Sequence, residues 1–309
     1  MPPDLAYALQ QLLNTALLAS FYAPLAVAFA VIHAITGRVF LSFGDFAMFG
    51  SFGAVYVCFG ALLRGNSDLA SAAFGLVAAL ACAGALGHAA ARQVFMPLLK
   101  ASALAFMIAS IGASIAIEEL MRLATESRDI WIPPLFQGQF INLVSGAFPV
   151  RLPVANAMSV AVACAAIAAL WALLRFTGFG RNWQACSQNP GLARLCGVRT
   201  ERVITQCFVV GAALSAVSGW TAALIYGGTS FSSGTMMGFK AMFAAVAGGF
   251  GNVRGAVAGA IFLSAMEVLW SASFGTAYRD VGVFMVITLV LLLKPEGLSG
   301  LASYRESET

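Results

Sequence analysis

Long apolar stretches alternate with short polar breaks along the whole chain. They fall at about 12–35, 40–63, 69–91, 102–123, 152–174 and 203–224, followed by an interrupted stretch from about 238 to 273 and a last run at 281–293. Crossing the roughly 30 Å hydrocarbon core takes about 20 apolar residues in a helix. Backbone groups in lipid must be satisfied within the segment, and none of these runs shows the two-residue alternation of a barrel strand. The pattern predicts an all-α integral membrane protein, a polytopic helical bundle of about eight or nine spans. The count turns on the interrupted stretch. Its first part has about thirteen residues, roughly 20 Å at 1.5 Å per residue, which is a short crossing or a re-entrant hairpin.

Composition removes the soluble alternative. Of 309 residues, 60% are apolar and 10% charged, against about 45–50% and about 25% in ordinary soluble domains. The whole of 1–309 reads as a single transmembrane domain. The net charge of +4 is scattered, without the basic stripe of a nucleic-acid binder, so no nucleic-acid partner is expected. The six cysteines form no C-x-x-C pair, and neither a disulfide framework nor a metal site is indicated. With Asp4 and no Lys or Arg before Arg38, the first run reads as a retained span rather than a signal peptide.

Basic residues set the expected orientation. Arg38, Arg92, Lys100, Arg175, Arg181, Arg194, Arg199, Arg202, Lys294 and Arg305 fall in one set of alternate loops, and Arg64, Arg122, Arg128 and Arg151 in the other. This puts the N-terminus outside and both the loop 175–202 and the C-terminus inside. The external loop 124–151 holds Trp131, Pro133, Pro134 and Phe136; it reads as a cap on the bundle or as a face that meets another protein.

Nothing in the chain marks catalysis. Lys100, Lys240 and Lys294 follow Leu99, Phe239 and Leu293, so none belongs to a phosphate-binding P-loop. His33 and His88 form no metal helix, and no G-x-S-x-G elbow occurs. The chain is not expected to be an enzyme, to bind a metal or to hold a cofactor of its own. Gly251, Gly255 and Gly259 recur every four residues, as on a helix face that packs closely; with Gly248 and Gly249 the alternative is a flexible break lining a solute path. Ionisable groups within spans usually face a cavity or a partner. Gly44, Asp45, Lys240 and Glu267 are thus path candidates, Glu267 being the deepest. Asp45 near an internal loop, and Glu118 and Glu119 near an external end, are explained equally by solvation. Phe46-Ala47-Met48-Phe49 and Lys240-Ala241-Met242-Phe243 share three residues and hint at an inverted repeat.

The loop 175–202 is the most polar segment. Asn189 can cap a helix beginning at Pro190, and Gly197 can end it in a left-handed conformation. A helix of about two turns is expected there, resting on anionic lipid or fitting a groove in a cytoplasmic partner.

At this loop, Ala185, Gln188-Asn189-Pro190, Ala193-Arg194-Leu195 and Gly197-Val198, followed by Arg202-Val203-Ile204, resemble the permeases of branched-chain amino acid ABC transporters, the LivH-type branch. The likeness extends through Gln10-Gln11-Leu12 with Asn14, Ser127-Arg128-Asp129, Gly211-Ala212-Ala213, Gly238-Phe239-Lys240-Ala241, Gly248-Gly249-Phe250-Gly251 with Gly255, and Pro295-x-Gly297-Leu298. Two positions depart from the pattern. Phe43 stands where the family usually has histidine, and Met96 where it has a basic residue before Pro97.

The resemblance implies a multi-pass importer permease of the bacterial inner membrane for branched-chain or related hydrophobic amino acids. Its implied partners are a second related permease, two cytoplasmic ATPase subunits that use ATP, a periplasmic solute-binding protein and the lipid bilayer. Ala185, Gln188, Asn189, Pro190, Ala193, Arg194 and Gly197 are then the ATPase-coupling residues. Two alternatives stay open: a permease for urea, short amides or another small polar solute, and an ion-coupled secondary transporter or channel working alone.

Overall fold

The computed structural model describes residues 3–99, 101–133, 135–136, 138–144, 150–276, 278–294 and 297. Lys100, Pro134, Pro295, Leu298 and Arg305, used above in the orientation and motif readings, lie outside the described residues.

The apolar runs are helices: α1 (Pro3–Thr36), α2 (Phe43–Leu63), α3 (Asp68–Ala90), a π-helical turn (Ala91–Phe95) leading into α4 (Met96–Leu98), α5 (Ala103–Ala124) and α6 (Val154–Phe176). After them come α7 (Gly178–Gln188), α8 (Pro190–Leu195), α9 (Thr200–Tyr226), α10 (Ser233–Gly248), α11 (Val253–Phe274) and α12 (Arg279–Leu293). Polar residues just ahead of the runs start several of them. Ser67 accepts from the Ala70 amide, Ser102 from Ala105 and Asn252 from Arg254, satisfying amides that a helix leaves unpaired at its first turn.

Among the described residues seven helices are long and apolar enough to cross a membrane: α1, α2, α3 continued to Leu98, α5, α6, α9 and α11. The other two predicted crossings are shorter, α10 with 16 residues and α12 with 15. The interrupted stretch is two helices that turn back on each other at Gly249–Asn252. α10 reaches roughly 24 Å at 1.5 Å per residue, less than the bilayer core.

α1, α2 and α9 are the most enclosed of the crossing helices, whereas α5 and α6 turn most of their surface outward, the direction of lipid or another subunit. Close glycine contacts set the inner packing. A Cβ on Gly44 would strike the Gly234 carbonyl and lie 2.6 Å from Gly238 Cα, and one on Gly248 would strike the Gly255 carbonyl. α2 against α10 and α10 against α11 are therefore backbone-to-backbone crossings of the small-residue kind. The same register brings the two related tetrapeptides into neighbouring helices. The four-residue glycine stripe is only partly realised. Gly255 and Gly259 lie on α11, but Gly251 precedes the helix in a turn with φ +85°, because Asn252 caps α11 at Val253.

Phe40, Phe43, Phe46, Phe95, Phe106 and Phe208 form one fully enclosed aromatic cluster, with neighbouring rings 4.6–6.4 Å apart. Each edge-to-face pair adds about 0.5–1.5 kcal/mol beyond its burial. Phe43, the first departure from the family pattern, is thus a core residue touching Gly211 rather than a solute contact. At one end of the bundle the segment after α5 is tied down by strands. β1 (Ile130–Trp131) pairs antiparallel with β4 (Gly228–Thr229), while β2 (Phe140–Val144) and β3 (Val150–Pro153) form a hairpin.

Candidate functional site

The first candidate region is the α7–α8 loop. Thr177 and a tight corner at Gly180, where a Cβ would meet the Leu174 carbonyl, turn the chain from α6 into α7. The Trp183 indole then donates to the Val31 carbonyl at 3.3 Å, anchoring α7 on α1. Asn189 Oδ1 accepts from the Gly191 and Leu192 amides at 2.9 and 3.1 Å, with Pro190 as the first helical residue. At the far end the Gly197 amide bonds the Arg194 carbonyl and the Val198 amide bonds the Ala193 carbonyl, both at 3.0 Å. With Gly197 at φ +83° this is a Schellman closure. Arg194 Nε also donates to Thr200 Oγ1 at 2.8 Å, joining α8 to the start of α9.

Of the sequence-named loop residues, Ala193 is buried and Ala185 half-buried, while Gln188, Asn189, Pro190, Arg194 and Gly197 are exposed. Leu192 and Leu195 are exposed by 60% and 85%, so a rigid helix held at both ends presents bare leucines. Sequence reading noted the helix but not this apolar tip. Beside it lies an open groove of about 1120 Å³ lined by Arg92, Arg194, Arg199 and Arg202 with Leu173, Val209 and Val210. Cys186, beneath the loop, is buried, and burial pushes its thiol pKa up against the opposing pull of Arg194.

The second region lies toward the other end of α9, where Ala222, Tyr226 and Thr229 line a cavity of about 280 Å³ together with Phe21, Trp131, Lys240 and Arg279. Its floor is a charged cluster. Lys240 Nζ lies 3.1 Å from Glu267 Oε1 and 2.7 Å from Asp280 Oδ1, and Arg279 Nε lies 3.0 Å from the same Glu267 oxygen. Glu267 is 1% and Lys240 7% exposed by side chain. Two cations and two anions thus balance, with Arg279 and Asp280 about one-third exposed and Lys240 and Glu267 enclosed, which makes the burial of that inner pair tolerable. The sequence had marked Lys240 and Glu267 separately. It missed Arg279 and Asp280, whose signal was an Arg-Asp pair opening the last apolar run.

The remaining path candidates do not join this cluster. Gly248 and Gly249 lie eight and nine residues further along α10, about 12 Å or more from Lys240 at the helical rise, and Gly251 sits against Ala34. Gly44 and Asp45, at the start of α2, pack against Gly234 and Gly238 in the first turns of α10. Asp45 is not solvated as expected near a loop. It is 1% exposed, receives a hydrogen bond from Ser114 Oγ, and its Oδ1 has no partner, because residues 37–42 fold back into the bundle and carry the start of α2 with them. Glu118 accepts from Thr235 at 3.1 Å; Glu119 is exposed and pairs with Arg122.

Residues 11–293 match the family described as branched-chain amino acid transport system, permease component. The chain belongs to that family. The high-affinity branched-chain amino acid permease LivH of Salmonella typhimurium is 34% identical over 97% of this chain and 98% of its own length, as is LivH of Escherichia coli K12. BraD of Pseudomonas aeruginosa is 31% identical over 96% and 97%. Among solved structures, PsaBC from Streptococcus pneumoniae in complex with Fab superposes with a TM-score of 0.45 at 14% identity over 93% of this chain and 92% of that one. The chain is accordingly a multi-pass transport permease of the bacterial inner membrane, a component of an ABC transport complex.

Proposed function

We propose that this permease carries branched-chain or related hydrophobic amino acids inward, paired with a second related permease above two cytoplasmic ATPase subunits and fed by a periplasmic solute-binding protein. The chain itself holds no cofactor, and ATP is consumed by the partners. The observation that carries the coupling role is α8, a six-residue helix pinned by Asn189 and Gly197 with Leu192 and Leu195 bare at its tip. A knob of that kind suits a complementary groove, and its rigid ends transmit displacement to α7, α9 and, through Trp183, to α1. Orientation follows the basic loops, with the N-terminus outside and α8 and the C-terminus inside. The substrate class is that of the LivH and BraD relatives.

The test is ATP-driven leucine uptake by the assembled transporter carrying Gly197→Asp. A side chain at φ +83° strains the Schellman turn, and loss of uptake with normal membrane insertion is the expected result. Unchanged uptake would sink the coupling role. Affinity copurification of the wild-type chain in mild detergent is expected to bring a second permease and P-loop ATPases. Recovery of this chain alone, with uptake that collapses when the ion gradient is dissipated, would favour the secondary transporter.

A further inference from the structure

The cavity above Lys240 has an uneven charge arrangement once its internal pairs are accounted for. Lys240 is committed to Glu267 and Asp280, and Arg279 turns its Nε to Glu267. Arg279 lines the cavity with about a third of its side chain exposed, and its closest approaches to Glu267 and Asp280 are both through Nε, at 3.0 and 3.5 Å. A guanidinium approached by its internal partners through Nε has its Nη edge to offer the two oxygens of one carboxylate. Asp129, exposed in the segment between α5 and β1, lines the same cavity and makes no hydrogen bond or ion pair among the described residues. Between them the walls are apolar, with Phe21, Trp131, Met236 and Met237. A guanidinium, an exposed carboxylate and apolar walls around about 280 Å³ are the complement of one zwitterion with a hydrophobic side chain.

We infer that this cavity is an amino-acid binding site within the permease, with Arg279 holding the solute carboxylate, Asp129 its ammonium, and Phe21, Trp131, Met236 and Met237 its side chain. The inference rests on the proposed amino-acid transport and adds that selection also occurs in this chain, after release from the binding protein.

The experiment is equilibrium binding of radiolabelled L-leucine to the purified permease–ATPase complex without binding protein. The competitors are 4-methylpentanoate, which lacks the amine, and 3-methylbutylamine, which lacks the carboxylate. Wild type is expected to bind leucine saturably. Arg279→Gln should weaken leucine at least about tenfold, the scale of one lost charge-assisted contact, and leave competition by the amine unchanged. Asp129→Asn should weaken leucine and leave competition by the acid unchanged. Arg279→Lys, which keeps the charge and loses the fork, should fall between. ATP-driven leucine uptake by the full transporter without saturable leucine binding to the complex would overturn the site and leave the transport function standing, as would variants that bind leucine like wild type. Absence of ATP-driven leucine uptake by the full wild-type transporter would overturn the transport reading itself.

Discussion

Removing one charge from the Lys240–Glu267–Arg279–Asp280 cluster should be costly, and removing an opposite pair much less so. In Lys240→Met, Glu267 keeps only Arg279, its Oε2 is already without a partner, and one net negative charge is left in a site where Glu267 is 1% exposed. Breaking a buried ion pair from one side costs about 3–5 kcal/mol, most of it the penalty of the abandoned charge. Since 1.4 kcal/mol is tenfold, the folded population relative to the unfolded should drop more than about a hundredfold. In Lys240→Met with Glu267→Leu, Asp280 and Arg279 remain at 3.5 Å, the balance is restored, and most of the loss should return. Equilibrium unfolding of the purified chain in mixed micelles, for wild type, both single variants and the double variant, gives the coupling. A coupling of several kcal/mol is expected, the double variant lying well above the sum of the singles. Losses that add within about 0.5 kcal/mol would refute the electrostatic account of the cluster.

Other features give more local outcomes. Asn189→Ala removes the cap of α8 and should cost that helix about 1 kcal/mol, seen as weaker retention of the ATPase subunits on copurification with normal insertion. Arg38 donates to the Leu98, Leu99 and Ala101 carbonyls at 2.7–3.0 Å, so Arg38→Met should loosen the 96–102 corner and raise its cleavage by protease added to inverted vesicles. Cys196 is exposed whereas Cys186 is buried with its thiol pKa raised. The reactive thiolate is the form present above the pKa, so a maleimide at neutral pH should label Cys196 from the cytoplasmic side and spare Cys186. Labelling of Cys196 from outside would reverse the orientation.

Much of this fold is legible because lipid imposes one periodic demand on every segment. The windows found from hydropathy lie within a few residues of α2, α3, α5, α6 and α9, and Asn189, Pro190 and Gly197 specify α8 through backbone chemistry alone. Depth was harder to read. Asp45 lies next to a loop in sequence but is enclosed in space, since nothing local says that 37–42 folds inward. The charged cluster was half visible for a related reason. Lys240 and Glu267 stand out inside apolar runs, whereas Arg279 and Asp280 sit at a run's edge, where charges usually face water. Only the crossing of α10, α11 and α12 reveals that this edge meets the interior.

The balance of that cluster bears on how the membrane potential acts on the protein. Moving one elementary charge through 100 mV involves about 2.3 kcal/mol, but a group of two cations and two anions carried together has no net charge for the field to pull. A movement that carries these four groups together is therefore electrically silent, and of the charges on α10, α11 and α12 only Arg254, at the start of α11, is left outside that balance for the field to pull.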